Sequence, residues 1–190
     1  MDLQQVWIVR HGETAWSLSG QHTGRTDIPL TAHGEQQASA LTTRLSAHSF
    51  ARVLTSPLIR ARRTCELAGF ADRAEIIDDL MEWDYGAYEG RRTAEIRAER
   101  PDWSPFEHGC PGGEQLADVT ARAERVIALV REVKDDVLLF AHRDILRVLA
   151  ARWILLDPLD ARRLYLDAAS VSVLGFDHTP SEPILKSLNT

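Results

Sequence analysis

Cysteine is scarce: Cys65 and Cys110 are the two that the 190-residue chain carries, and no CxxC pair occurs. Two such residues cannot build a disulfide framework, and a reduced, cytoplasmic setting is the plain expectation. Long apolar runs are missing too; none approaches the roughly 20 residues that a membrane-crossing helix needs. The N-terminus shows no basic stretch followed by an apolar one, so a secretory leader is not expected. No arginine- or lysine-rich run marks a nucleic-acid surface, and the net charge is −6. These absences predict neither a nucleic-acid nor a membrane partner, and they leave a homodimer open. Any anionic ligand needs a local positive pocket built against the overall charge. Internal repeats, linkers and low-complexity segments are absent as well.

What remains is an ordinary globular composition, 44% hydrophobic and 26% charged. The length fits one domain, 1–190, able to bury roughly 70% of its unfolded surface. Residues 4–10 read as a buried strand, and 11–33, rich in Gly, Ser, Thr and Asp, as a long ordered loop of the kind that is usually functional. Ala38, Leu41 and Leu45 fall at helical spacing within 34–48, with Thr31 and Glu35 near the start. A short strand at 51–55 precedes Ser56-Pro57, and a helix over 58–69 stops at Gly69. Residues 74–78 read as a short strand, 81–90 as a loop mixing aromatics and acids, and 93–100 as a helix ended before Pro101. A second loop, 104–115, leads into a long amphipathic helix over 116–133. The run "DVLLFAH" (136–142) is a second buried strand, followed by a helix over 144–156. The stretch 170–177 alternates as a strand, and 182–189 reads as an edge strand that tolerates Pro183. Strands alternating with helices predict an α/β/α sandwich with a mostly parallel central sheet.

Two of the buried strands end on a histidine, His11 and His142. In open α/β sheets ligands collect beyond the carboxyl ends of the strands. A third strand end precedes Ser56 and the helix carrying Arg60. One crevice can therefore gather Arg10, His11, Arg60 and His142. Arginine forks bind phosphate bidentately and stay charged at all relevant pH. A histidine flanked by such cations is held neutral and is a competent nucleophile toward phosphorus, and a second histidine can stabilise charge on the phosphoryl oxygens. The leaving alcohol then needs an acid. Glu82 is the best candidate, since burial against Trp83 and Tyr85 raises a carboxyl pKa.

"VRHGET" (9–14) resembles the signature of the histidine phosphatase superfamily, the phosphoglycerate mutase-like fold. Five further blocks follow in that family's order: "GQHTGRTDIPLTAHGEQQA" (20–38), "TSPLIRARRT" (55–64), "EWDYGAYEG" (82–90), "CPGGE" (110–114) and "FAH" (140–142). The block "WSLSGQHTGRTDIPLT" is especially similar to the small-phosphatase branch with bacterial acid phosphatases and sedoheptulose-bisphosphatase-like enzymes. The resemblance implies His11 as the nucleophile that becomes phosphohistidine, Arg10 and Arg60 as the phosphoryl clamp, and His142 as the completion of that pocket. Glu82 would be the proton donor and then the base. Ser17, Thr23, Gly24 and Tyr85 would lie near a small phosphorylated substrate such as a sugar phosphate or bisphosphate. Neither a metal nor an organic cofactor is implied.

One position departs from the family. Relatives read Gly after the second histidine, whereas this chain reads "AHRDILR". Arg143 can add charge to the pocket, obstruct it or turn to solvent, and Asp144 is unwelcome beside a phosphate. Two alternatives therefore stay open: phosphoryl transfer of the phosphoglycerate mutase type, and a degenerate member that binds a phosphorylated ligand without turnover. His108 and Cys110 lie close together, but no second ligand pair supports zinc. His22, His33, His48, His108 and His178 are expected at the surface or in loops. Trp103 and Phe106 are compatible either with a cap over the pocket or with plain packing.

Overall fold

A computed structural model describes residues 3–190. Its strands are β1 (Val6–Arg10), β2 (Arg52–Thr55), β3 (Ala74–Ile76), β4 (Val137–Ala141), β5 (Val171–Phe176) and β6 (Pro183–Ser187). Its α-helices are α1 (Ala15–Ser19), α2 (Ala32–Leu45), α3 (Ile59–Leu67), α4 (Thr93–Glu99), α5 (Pro105–His108), α6 (Leu116–Arg131) and α7 (Arg143–Trp153). Unbroken apolar runs such as VWIVR and VLLFA suit strands covered on both faces, and every residue of β1 and β4 is buried. The sheet order is β3-β2-β4-β1-β5-β6. β1, β4, β2 and β3 pair in parallel, while β5 runs antiparallel to both β1 and β6.

Side chains alternate across the sheet with period two. Val6, Ile8, Leu139 and Ala141 join the core that includes Val126, Ile145 and Leu149 of α6 and α7. Trp7, Val9, Leu138 and Phe140 join the opposite core, with Leu41 and Leu45 of α2 and Cys65 of α3. The result is the expected three-layer α/β/α sandwich with a mostly parallel sheet. Pro183 sits on an edge strand, where its missing N–H breaks no interior ladder.

The differences are local. The expected loop over 11–33 contains α1, closed at its start by a reciprocal cap between Thr14 and Ser17 and at its end by Gly20 at φ 77°. The expected loop over 104–115 contains α5, with Pro105 in the first turn. α2 starts two residues before Gly34, because the Thr31 hydroxyl accepts the Gly34 N–H at 3.0 Å. Among the described residues no helix is long and apolar enough to cross a membrane.

Candidate active site

Parallel pairing of β1, β4 and β2 opens their carboxyl ends on one side and delivers His11, His142 and Ser56 there. The chain ends are stitched together by His11 N–H to Ala141 O at 3.0 Å and Ser56 N–H to Phe140 O at 2.9 Å. The turn after His11 needs glycine twice. A Cβ on Gly12 would stand 2.4 Å from the Gly34 carbonyl oxygen, and one on Gly34 would stand 2.1 Å from that of Glu13. These two residues let the first turn of α2 press against the loop that carries His11.

His11 is buried, and its Nδ1 lies 2.7 Å from the Gly12 carbonyl oxygen. A carbonyl only accepts, so Nδ1 bears the proton and Nε2 keeps its lone pair. Burial, then the Arg60 and Arg10 charges, hold the His11 pKa well below its usual value. The ring is a neutral base with a free nitrogen. The His142 ring lies 5.2 Å from it, centroid to centroid. His142 Nε2 is 2.7 Å from Ser56 Oγ, and burial, then Arg60, keeps this ring neutral too.

Arg60 is wholly buried in α3 and binds loop carbonyls, donating to Gly24 O at 2.8 Å, Thr26 O at 3.1 Å and Thr23 O at 3.2 Å. Arg10 donates to Leu166 O at 2.6 Å. Arg10 Nε, Arg60 Nε and His142 Nδ1 are buried with no partner among the described residues. Glu82 sits at the start of α7, where its carboxyl accepts N–H groups from Trp83 (2.9 Å), Asp144 (3.0 Å) and Ile145 (3.0 Å). Burial raises the Glu82 pKa and the Asp144 charge adds to it, against the three N–H groups.

A cavity of about 90 Å³ lies here; Arg10, His11, Ser17, Thr23, Glu82 and Tyr85 line it together with His22 and Arg143. Six expected site residues therefore meet. Arg60 and His142 are buried close to His11 but are not among the residues that line the cavity. Gly24 does not line the cavity; it is packed so tightly that a Cβ there would lie 1.9 Å from Glu89 Oε1, and its carbonyl holds Arg60. Trp103 and Phe106 are buried packing residues.

Two residues were misjudged or undecided from sequence. His22, expected at the surface or in a loop, lies in a loop but is buried, packs on Tyr85 at 4.6 Å and is pushed down to about 4 by burial. Its place inside the "GQHTG" block is the signal that was available. Arg143 does not swing wholly into solvent: Asp144 takes its Nε–H at 3.0 Å and raises its pKa, and its side chain lines the cavity. Asp144 is itself buried and also accepts from Tyr85 OH at 2.6 Å and Arg147 at 2.8 Å. Among the described residues the one trio of metal-capable side chains, Asp177, His178 and Glu182, is exposed on the β5–β6 turn, away from the cavity.

Comparison with known proteins agrees with this geometry. The histidine phosphatase superfamily (branch 1) matches residues 6–190. An acid phosphatase of Mycobacterium tuberculosis is 40% identical over 178 residues, covering 92% of this chain and 87% of that protein. A sedoheptulose 1,7-bisphosphatase of Saccharomyces cerevisiae is 37% identical, covering 77% of this chain and 66% of that protein. The solved structure of a Mycobacterium tuberculosis open reading frame superposes with a TM-score of 0.92 at 37% identity, covering 98% of this chain and 97% of that one. With its two strand-end histidines, its buried arginines and these relatives, the chain belongs to the histidine phosphatase superfamily.

Proposed function

We propose that the protein hydrolyses small phosphomonoesters, sugar phosphates and bisphosphates among them, without a metal and through a phosphohistidine on His11. The observation that carries this is the set of buried polar atoms around His11 that lack a partner among the described residues: the donors Arg10 Nε and Arg60 Nε, and His142 Nδ1. Buried donors are almost always satisfied, and a phosphoryl dianion in the adjoining cavity would satisfy donors of this kind. In the first step His11 Nε2 attacks phosphorus, a P–N bond forms, and the P–O bond to the alcohol breaks. The Glu82 carboxyl gives its proton to the departing oxygen. In the second step Glu82 takes a proton from water, whose oxygen attacks phosphorus. The P–N bond breaks and phosphate leaves. The arginines and His142 stabilise the charge that builds on the equatorial oxygens. The Asp144 carboxylate is engaged by Tyr85, Arg143 and Arg147, so it does not oppose a phosphate in the cavity.

The test is phosphate release from p-nitrophenyl phosphate in excess chelator. Wild type is expected to turn over, and His11→Ala to lose at least about 10³-fold in kcat. No release by wild type, or release that needs added metal, overturns the proposal.

A further inference from the structure

The cavity at His11 adjoins a wider cleft of about 340 Å³, the size of ordinary small-molecule sites. The two share Arg10, Ser17 and Arg143, and the cleft adds Glu13, Tyr165 and Asp167 among its walls. The smaller inner cavity suits the phosphoryl group, so whatever is esterified to it extends outward past Arg143. The charge of the cleft then decides what can follow. Its two arginines are the ones that also face the phosphoryl group. Its own carboxylates are Glu13 and Asp167, and neither is in an ion pair among the described residues. Glu13 Oε1 accepts from the Thr31 hydroxyl at 2.7 Å, and Tyr165 is 59% exposed and offers an aromatic face. Carboxylates accept hydrogen bonds from hydroxyl groups and repel a second anion.

We propose that this cleft is the leaving-group subsite and that it selects monophosphates of neutral, polyhydroxylated alcohols over esters that carry a second phosphate or a carboxylate. The inference rests on the phosphatase reading of His11 and narrows its substrate class.

Glycerol 3-phosphate and 3-phosphoglycerate make a matched pair, differing by a hydroxymethyl group against a carboxylate. Wild type is expected to favour glycerol 3-phosphate by on the order of 10-fold in kcat/KM, mainly through KM. The Glu13→Gln, Asp167→Asn double variant is expected to bring the two within roughly 3-fold by improving 3-phosphoglycerate. An equal or inverted preference in wild type, or a ratio that the double variant leaves unchanged, overturns the proposal. Calorimetric binding of the same pair to His11→Ala separates the two ideas. A charge preference in binding with no wild-type turnover keeps the subsite and sinks the phosphatase, and turnover without any preference does the reverse.

Discussion

Asp144 shows how a residue that looks hostile to the site is made harmless to it. A carboxylate one residue past Arg143 and two past His142 would repel a phosphate if it faced the cavity. Burial alone would raise its pKa, but Arg143 and Arg147 hold the carboxyl well below its ordinary range, with the Tyr85 hydroxyl adding a hydrogen bond. The carboxylate in turn fixes Arg143 at the cavity wall. Removing it leaves two arginines and a buried hydroxyl without their partner. Asp144→Ala is therefore expected to cost roughly 3 kcal/mol, the low end for a broken buried pair, because Arg143 keeps 35% of its side chain exposed. Urea unfolding measures this, and a loss under about 1 kcal/mol would contradict the role. From sequence, "HRDIL" was legible as an anomaly. Which way Arg143 points depends on Asp144, which Arg147 holds from one helical turn on and Tyr85 holds from 59 positions away, brought there by folding.

At the scale of elements, β1 and β4 were readable almost to the residue, since a run of buried β-branched and aliphatic side chains has one stable home, a strand covered on both faces. α1 and α5 were not. Helices of five and four residues carry no period, and what forms them is capping at Thr14 and Gly20 and the fixed φ of Pro105. The docking of α2 on the His11 loop is a second feature that hydrophobic pattern does not reveal. Backbone meets backbone at Gly12 and Gly34, so a methyl group has no flexible side chain to displace. Gly34→Ala is expected to destabilise the fold by about 2 kcal/mol and to lower kcat more than it raises KM, because the loop that carries His11, the proposed nucleophile, moves. A variant with wild-type melting temperature and wild-type kcat would refute the close-approach role.

For the whole molecule, the buried histidines set how stability varies with acid. His22 is held at about 4 in the folded chain against an unfolded value near 6.5. Between those values the unfolded chain binds a proton that the folded chain does not, so stability is full above about pH 6.5 and falls as the pH drops toward 4. His11 and His142 are also held below their usual range and act in the same direction. Urea unfolding between pH 7 and pH 5 is expected to show this decline. His22→Gln should remove up to one proton from the slope, about 1.4 kcal/mol per pH unit. An unchanged slope would mean that His22 titrates normally in the fold.

By itself the sequence determined the layered α/β fold, the two histidine-bearing strand ends, the set Arg10, His11, Arg60, Glu82 and His142, and through them the family. Those features are local: apolar periodicity and the residue that follows a strand are written within a few positions. Tertiary structure alone decided the rest. It buried Arg60 and His142 beside His11, outside the cavity's lining, and tucked Gly24 away to hold Arg60. It brought His22 in beside Tyr85 and set Arg143 at the cavity wall. Most of these depend on partners far along the chain: Arg60 on Gly24, 36 positions away, His22 on Thr93, 71 away, and His142 on Ser56, 86 away. A pairing at that distance exists only once the sheet has set the loops against one another, so no local pattern can encode it.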